Sequence, residues 1–285
     1  MPELPEVETI VRGIRPRLLG RRIRDAEVRW ARTLGGLTRP EFDRRVVGAT
    51  VAAVWRRGKH IAIDLERRGR PAGCLLGHLR MSGRLQVEPR AADPGPYARV
   101  RLGLGRGEVL TFVDVRKFGR LRFVADARAA LARLGPEPLG PGFTAAWLRR
   151  GLRDRRRMLK PLLLDQTFLA GLGNIYVDES LHRARLHPSR RSDSVPAAAA
   201  ERLWAEIRAV LSEAIEREGS SFDTFYRTPA GRPGSYQASF RVYGRDGDAC
   251  RACGATIRKL VVGQRGTHVC PRCQRAPRSA IIPAP

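Results

Sequence analysis

The chain has 285 residues, 42% of them hydrophobic and 29% charged, a composition that supports packed domains and excludes wholesale disorder. Its longest apolar runs, such as Val51–Trp55, fall far short of the roughly 18 residues that cross a bilayer, and MPELPEVETI at the start carries three glutamates and no cation, unlike a secretory leader. Fifty-four basic against 28 acidic residues leave a net charge of +26, which points to a polyphosphate partner, the plain alternative being a basic surface with no specific ligand.

Residues 5–19 read as a helix: Pro5 suits its first turn, Val7, Ile10, Val11, Ile14 and Leu18 form one stripe, and Gly20 follows as a stop. Pro16 is expected to kink this helix or end it a turn early. From about Arg22 to Val124 the pattern changes to short strand-like runs (RRIRDAEVRW, VVGATVAAVW, HIAIDL, RLQVEP, YARVRLGL, EVLTFV, RLRFVA) punctuated by Gly and Pro, which predicts an antiparallel sandwich or barrel. GPEPLGPGF (135–143) reads as a linker. Helical periodicity follows, clearest over Ala197–Glu218. Residues 219–240, rich in Gly, Ser and Pro, read as a mobile loop, and APRSAIIPAP as a disordered tail.

Cys250-x-x-Cys253 and Cys270-x-x-Cys273 are separated by 16 residues. That spacing predicts one structural zinc held by four thiolates, with a β-hairpin between the pairs. Four thiolates leave no open position for chemistry. The hairpin would present Gln264 and Arg265. His268 is expected at the surface, and Cys74, in the apolar run GCLLG, in the core.

All but four of the 54 cations are Arg; the exceptions are Lys59, Lys117, Lys160 and Lys259. A Lys retained in so Arg-rich a chain suggests a site needing an amine, because Arg does not release a proton near neutrality. Asn174 is the sole Asn. Met-Pro starts normally lose Met1, which exposes Pro2 as a secondary amine. An α-amino group titrates at about 7.7–8.0, so part of it is neutral and nucleophilic at pH 7. Glu3 stands beside it as an acid or base. Taken alone, such a start reads as a frayed terminus.

PELPEVETIVRGIRP, GKH at 58–60, HLRMSGRL at 78–85, DVRKFGRL at 114–121, LLLDQTFLAGLGNIYVDESLHRARLHP at 162–188 and the four-cysteine module follow one another in this order. Over roughly residues 1–275 this resembles the bacterial formamidopyrimidine-DNA glycosylase family. PELPE, rather than the PEGPE of the endonuclease VIII branch, favours the purine-directed members. The resemblance implies an α+β, multidomain protein: a catalytic β-sandwich with an N-terminal helix (1–134), a linker (135–143), and a helical helix–two-turn–helix domain (144–240). A lesion-covering loop (219–238) lies within that domain; a zinc finger (241–275) and a tail (276–285) follow. It also implies a monomer in the bacterial cytoplasm, associated with the nucleoid. That monomer removes oxidised purines from double-stranded DNA and cleaves the abasic strand by β,δ-elimination.

Residue by residue, the resemblance makes Pro2 the nucleophile at the deoxyribose anomeric carbon and Glu3 the acid/base at the sugar. Lys59 becomes the second catalytic amine, and Arg265 the arginine of δ-elimination and phosphate contact. Glu6 falls close to the lesion pocket. Flipping a base leaves a hole in the duplex, and Met81, Arg116 and Phe118 match the family's void-filling trio. Without the family, Met81 and Phe118 would read as core residues. Asn174, after Gly171-x-Gly173 at a helix start, suits a phosphate or a helix cap; the family uses it for phosphate. Lys160 and Arg155 match DNA-contacting basic positions. Tyr97 stands where the family carries a DNA-contacting His, Arg80 where it carries Gly, and FYRTPAGRPGSYQ is only partly typical of the covering loop. These departures bear on lesion preference more than on chemistry. The alternatives are an endonuclease VIII-like enzyme for oxidised pyrimidines and a non-catalytic damage-binding zinc protein.

Overall fold

The computed structural model describes residues 2–221 and 226–277. Met1, residues 222–225 of the covering loop, and the tail from 278 on lie outside the described residues. The chain forms two units, Met1–Arg133 with Arg217–Ser235, and Leu134–Glu216 with Tyr236–Pro285.

The first unit opens with α1 (Leu4–Leu18), whose start is set by a reciprocal capping box between Glu3 and Glu6 and by Pro5. Its predicted stripe of Val7, Ile10, Val11, Ile14 and Leu18 is buried throughout, and Pro16 lies in the last turn without ending the helix. Then come β1 (Asp25–Val28), α2 (Arg39–Val46), β2 (Thr50–Arg57), β3 (His60–Arg67) and β4 (Arg70–His78). After these run β5 (Gly83–Pro89), β6 (Ala98–Gly105), β7 (Glu108–Asp114), β8 (Arg120–Val124) and the short α3 (Ala127–Ala130).

The strands form two antiparallel four-stranded sheets, ordered β1-β6-β7-β5 and β2-β3-β4-β8. Ile61, Ile63, Leu65 and Leu75 of one sheet share a single core with Val100, Leu102, Leu110 and Phe112 of the other and with the α1 stripe. The predicted sandwich is therefore present. Two hairpins turn through Arg68-Gly69 and Arg106-Gly107, all four residues at positive φ, the backbone that two-residue turns require to match strand twist.

Two elements depart from the predicted pattern. β4 was not among the predicted strands: it lies inside its sheet, and Cys74, Leu75, Leu76 and Gly77 are buried in succession, so it lacks the alternation that marks a half-exposed strand. α2 interrupts the expected strands, started by Thr38, whose side chain accepts from Glu41 N, and by Pro40; the T-x-x-E signal is local and legible.

The second unit holds α4 (Ala145–Arg153), α5 (Leu159–Leu164), α6 (Asn174–Arg183), α7 (Ala197–Glu216) and the hairpin β9 (Arg258–Val262) with β10 (Arg265–Val269). α7 packs on α6 and α4 through Leu203, Ile207, Val210 and Leu211, all fully buried. The segment 135–143, read as a linker, is hydrogen-bonded within this unit. Gly135 N donates to Gln166 O, Ala170 N to Pro136 O, and Arg208 to Pro138 O, while Phe143 is buried. Of the segment read with the helical domain, residues 217–221 and 226–235 fall in the first unit: a Cβ on Gly13 of α1 would meet Pro229 Cγ at 2.5 Å, and Tyr226 belongs to the sandwich core.

Candidate functional site

Pro2 is buried and precedes the N-cap of α1. Glu3 and Glu6 are each 2% exposed. Glu6 joins two distant segments: its Oε2 accepts from Glu3 N at 2.8 Å, and its Oε1 accepts from Ser220 N at 2.8 Å and from Ser220 Oγ at 3.3 Å. Gly219, at φ 77°, makes this approach possible, since a Cβ there would sit 2.7 Å from Glu6 Oε1. The start of the covering loop is thus tied to the N-terminal helix inside one unit.

Lys59 follows Gly58 in the two-residue turn between β2 and β3 and is buried. The strands it joins carry a histidine pair. His60 and His78 face each other across β3 and β4, ring centroids 4.7 Å apart. Burial, then the Arg122 guanidinium, holds His60 down to about 4; burial, then His60, holds His78 down to about 3.

Met81 and Phe118 are 38% and 50% exposed, so neither is the core residue that composition alone would make it. Met81 sits in a turn closed by Gly83 N donating to Leu79 O at 2.9 Å. A Cβ on Gly83 would lie 2.5 Å from that oxygen. Arg80 adopts φ 56° there, a left-handed residue at the position where the family resemblance placed a glycine. Lys117 is also left-handed, and its Nζ lies 4.2 Å from the Trp30 ring centroid, while the Arg116 guanidinium stands 5.0 Å from the Phe118 ring. Tyr97 is exposed beside Arg99.

In the second unit Arg155 is exposed, its guanidinium over Phe168. Arg265 and Gln264 are exposed at the hairpin tip, which turns through Gly263 and Gln264 at positive φ. Asn174 opens α6 as predicted, and its Nδ2 donates to Gly266 O at 2.9 Å. Lys160, expected at a DNA-contacting position, is buried here. It has no exposed surface; its Nζ lies 2.7 Å from Asp178 Oδ1 and donates to Gly266 O at 2.9 Å. An ammonium so committed ties α5 and α6 to the hairpin. His268 corrects a second expectation. It is 6% exposed; its backbone N donates to Asp178 Oδ2 and its ring packs on Tyr243.

Composition missed the acidic pair on the buried face of α6. Asp178 takes Lys160 and His268, while Glu179 accepts from the backbone N of Arg241, Val242 and Tyr243, each at 2.9 Å. Burial pushes the Glu179 carboxyl up, opposed by those three N–H groups. Adjacent Asp and Glu between Tyr176, Val177 and Leu181 in a helical register were the available signal.

None of the four module cysteines is paired in a disulfide. Cys250 Sγ lies 4.0 Å from Cys273 Sγ, and Cys253 Sγ lies 3.4 Å from Cys270 Sγ, separations that fit four sulfurs about one ion. His182 of α6, which the spacing of the cysteines could not reveal, brings Nε2 to 3.5 Å from Cys250 Sγ and groups with Cys250, Cys270 and Cys273 within 4.8 Å. The donor set fits one zinc. Cys74 is buried in the core as expected.

Three family models match the chain in order: the formamidopyrimidine-DNA glycosylase N-terminal domain over residues 1–121, its H2TH domain over 134–226, and a zinc finger found in FPG and IleRS over 247–276. The formamidopyrimidine-DNA glycosylase of Geobacillus kaustophilus is 44% identical over 96% of this chain and all of its own, and that of Salinispora arenicola 42% over 99% of each. Among solved structures, a Lactococcus lactis FPG mutant with Fapy-dG-containing DNA superposes with a TM-score of 0.89 at 33% identity, covering 96% of this chain and 100% of that one. The MutM (FPG) protein of Thermus thermophilus does so at 0.85 and 42%, covering 97% and 100%. With its three parts matched in order and its full length shared with named relatives, this chain belongs to the formamidopyrimidine-DNA glycosylase family.

Proposed function

We propose that this DNA glycosylase of base excision repair removes oxidised purines through the amine of Pro2 and then cleaves the abasic strand. The observation that carries this reading is the position of Pro2, directly before a capped helix whose box fixes both Glu3 and Glu6. Removal of Met1 turns the Pro2 nitrogen into a secondary amine, and an α-amino group that titrates near neutrality is partly in the neutral form that attacks carbon. Met1 must be removed first.

The Pro2 nitrogen forms a bond to the anomeric carbon as the bond to the base breaks, the electron pair leaving with the base, which takes up the proton that the Pro2 nitrogen gives up. Glu3 supplies the proton that opens the sugar ring, giving an iminium. Lys59 assists loss of the proton for β-elimination, and Arg265 serves phosphate contact and the δ step. Met81, Arg116 and Phe118 fill the opened stack, while Arg155 and Asn174 hold phosphate and Tyr97 lines the duplex. Zinc would be held by Cys250, Cys253, Cys270 and Cys273 and would cross-link the hairpin that carries Arg265, with His182 Nε2 3.5 Å from Cys250 Sγ. The working place is nucleoid DNA, with the protein acting as a monomer. Among the described residues no helix is long and apolar enough to cross a membrane.

A Lactococcus lactis relative has been solved with DNA containing an oxidised pyrimidine, which favours a second activity on such bases. Incubation with duplexes carrying 8-oxoguanine opposite cytosine, or an oxidised pyrimidine, separates the two by relative rate. Borohydride should join protein to DNA during turnover. Extending the chain before Pro2, which turns the amine into an amide, should abolish this adduct while duplex binding persists. An adduct formed at the parent rate by the extended protein would shift the nucleophile to Lys59.

A further inference from the structure

Asp114 ends β7 and is 1% exposed. Its Oδ1 accepts from Ser82 Oγ at 2.5 Å and from Arg116 N at 3.2 Å, and its Oδ2 accepts from Gly119 N at 2.7 Å. Ser82 Oγ also accepts from Arg116 N at 3.1 Å. The Asp114 backbone extends the junction: its N donates to Tyr97 O at 2.9 Å, and its O accepts from Arg99 Nε at 2.7 Å. Three segments that are separate in sequence therefore meet on one buried residue. They are the turn holding Met81, the loop holding Arg116 and Phe118, and the strand entry at Tyr97.

The side chains these segments present are out of place on a free surface. Met81 and Phe118 are large, apolar and exposed, and a loop left to relax would fold them inward. The Asp114 carboxyl is bonded to the bases of both loops. Gly119 leaves no room for adjustment, since a Cβ there would lie 2.6 Å from Phe112 Cζ and 3.1 Å from Asp114 Oδ2.

We propose that Asp114 is a positioning residue that sets the spacing of Met81, Arg116 and Phe118 before DNA arrives. Ordering two loops at the moment of stack opening would cost conformational entropy; the buried junction removes that cost from the step. The proposal rests on the reading that these three side chains fill the opened stack.

The test compares two substrates within one protein preparation: a base-paired 8-oxoguanine duplex, which must be opened, and a preformed abasic site, which has no base to expel. The ratio of single-turnover rates is independent of the folded fraction. Asp114→Asn keeps the volume, but whichever way its amide turns, the NH2 faces a backbone N–H. The ratio should fall about tenfold in Asp114→Asn and about threefold in the milder Ser82→Ala, with abasic-site cleavage within about twofold of the parent. A 2-aminopurine placed beside the lesion should report slower stack opening in the same order. Equal loss on both substrates, or an unchanged ratio, overturns the proposal. Phe118→Ala serves as the control. If it leaves the ratio unchanged, the stack-filling reading itself fails; if it lowers the ratio while Asp114→Asn does not, only the role of Asp114 fails.

Discussion

Lys160 and Asp178 form an ion pair at 2.7 Å with no exposed surface on either side chain. The pair bridges α5 and α6, and each partner reaches on to the zinc hairpin, Lys160 through Gly266 O and Asp178 through His268 N. Removing one partner of such a pair leaves a buried charge uncompensated, at about 3–5 kcal/mol. Lys160→Met should therefore lower the stability to urea by that order. Lys160→Met combined with Asp178→Leu should recover part of the loss, because both charges are then gone. A single variant as stable as the parent would contradict the arrangement.

The same burial separates Lys160 from the surface cations in a salt titration. Each phosphate neutralised contributes about −0.9 to the log–log slope of affinity against salt. Arg155→Ala and Arg265→Ala should each make the slope shallower by about that amount. Lys160→Met should leave it unchanged even where affinity falls. A slope altered by Lys160→Met and untouched by the arginine variants would reverse these assignments.

His182 should govern how firmly the metal is kept. Its Nε2 faces Cys250 Sγ at 3.5 Å, and an outer hydrogen bond to a ligand commonly alters metal affinity about 10–100-fold. His182→Phe should speed zinc transfer to a chelator by at least about tenfold, while the cobalt-substituted protein keeps an all-thiolate spectrum. A spectrum that loses a nitrogen ligand in the variant would place His182 in the coordination sphere instead of Cys253.

Acid should weaken the sandwich through His60 and His78. Unfolded, both take a proton near pH 6.5; folded, they resist it down to about 4 and about 3. Stability is full above about pH 6.5 and declines as pH falls toward 4, because the unfolded chain binds protons that the folded one refuses. Each unit of separation corresponds to roughly 1.4 kcal/mol. Thermal unfolding followed across this window should show a falling midpoint, flatter in His60→Phe. A midpoint independent of pH in the parent would refute the assignment.

Much of this protein was legible along the chain because the signals are local. The paired cysteines, the α1 stripe and the Gly-x-Gly-Asn start of α6 depend on spacings of a few residues, and each stands where the spacing placed it. The zinc hairpin followed from the 16 residues between the cysteine pairs. The tertiary structure decided matters that depend on distant partners. Along the chain Lys160 reads as a DNA-contacting cation, and only the fold closes Asp178 and Gly266 around it. His268 and His182 acquired their places from α6 and the cysteine module meeting. β4 lost its alternation because both faces are covered, and Ser220 and Pro229 joined the first unit through Glu6 and Gly13. A short-range pattern constrains backbone geometry, whereas burial and charge compensation are set by whichever remote segment arrives opposite.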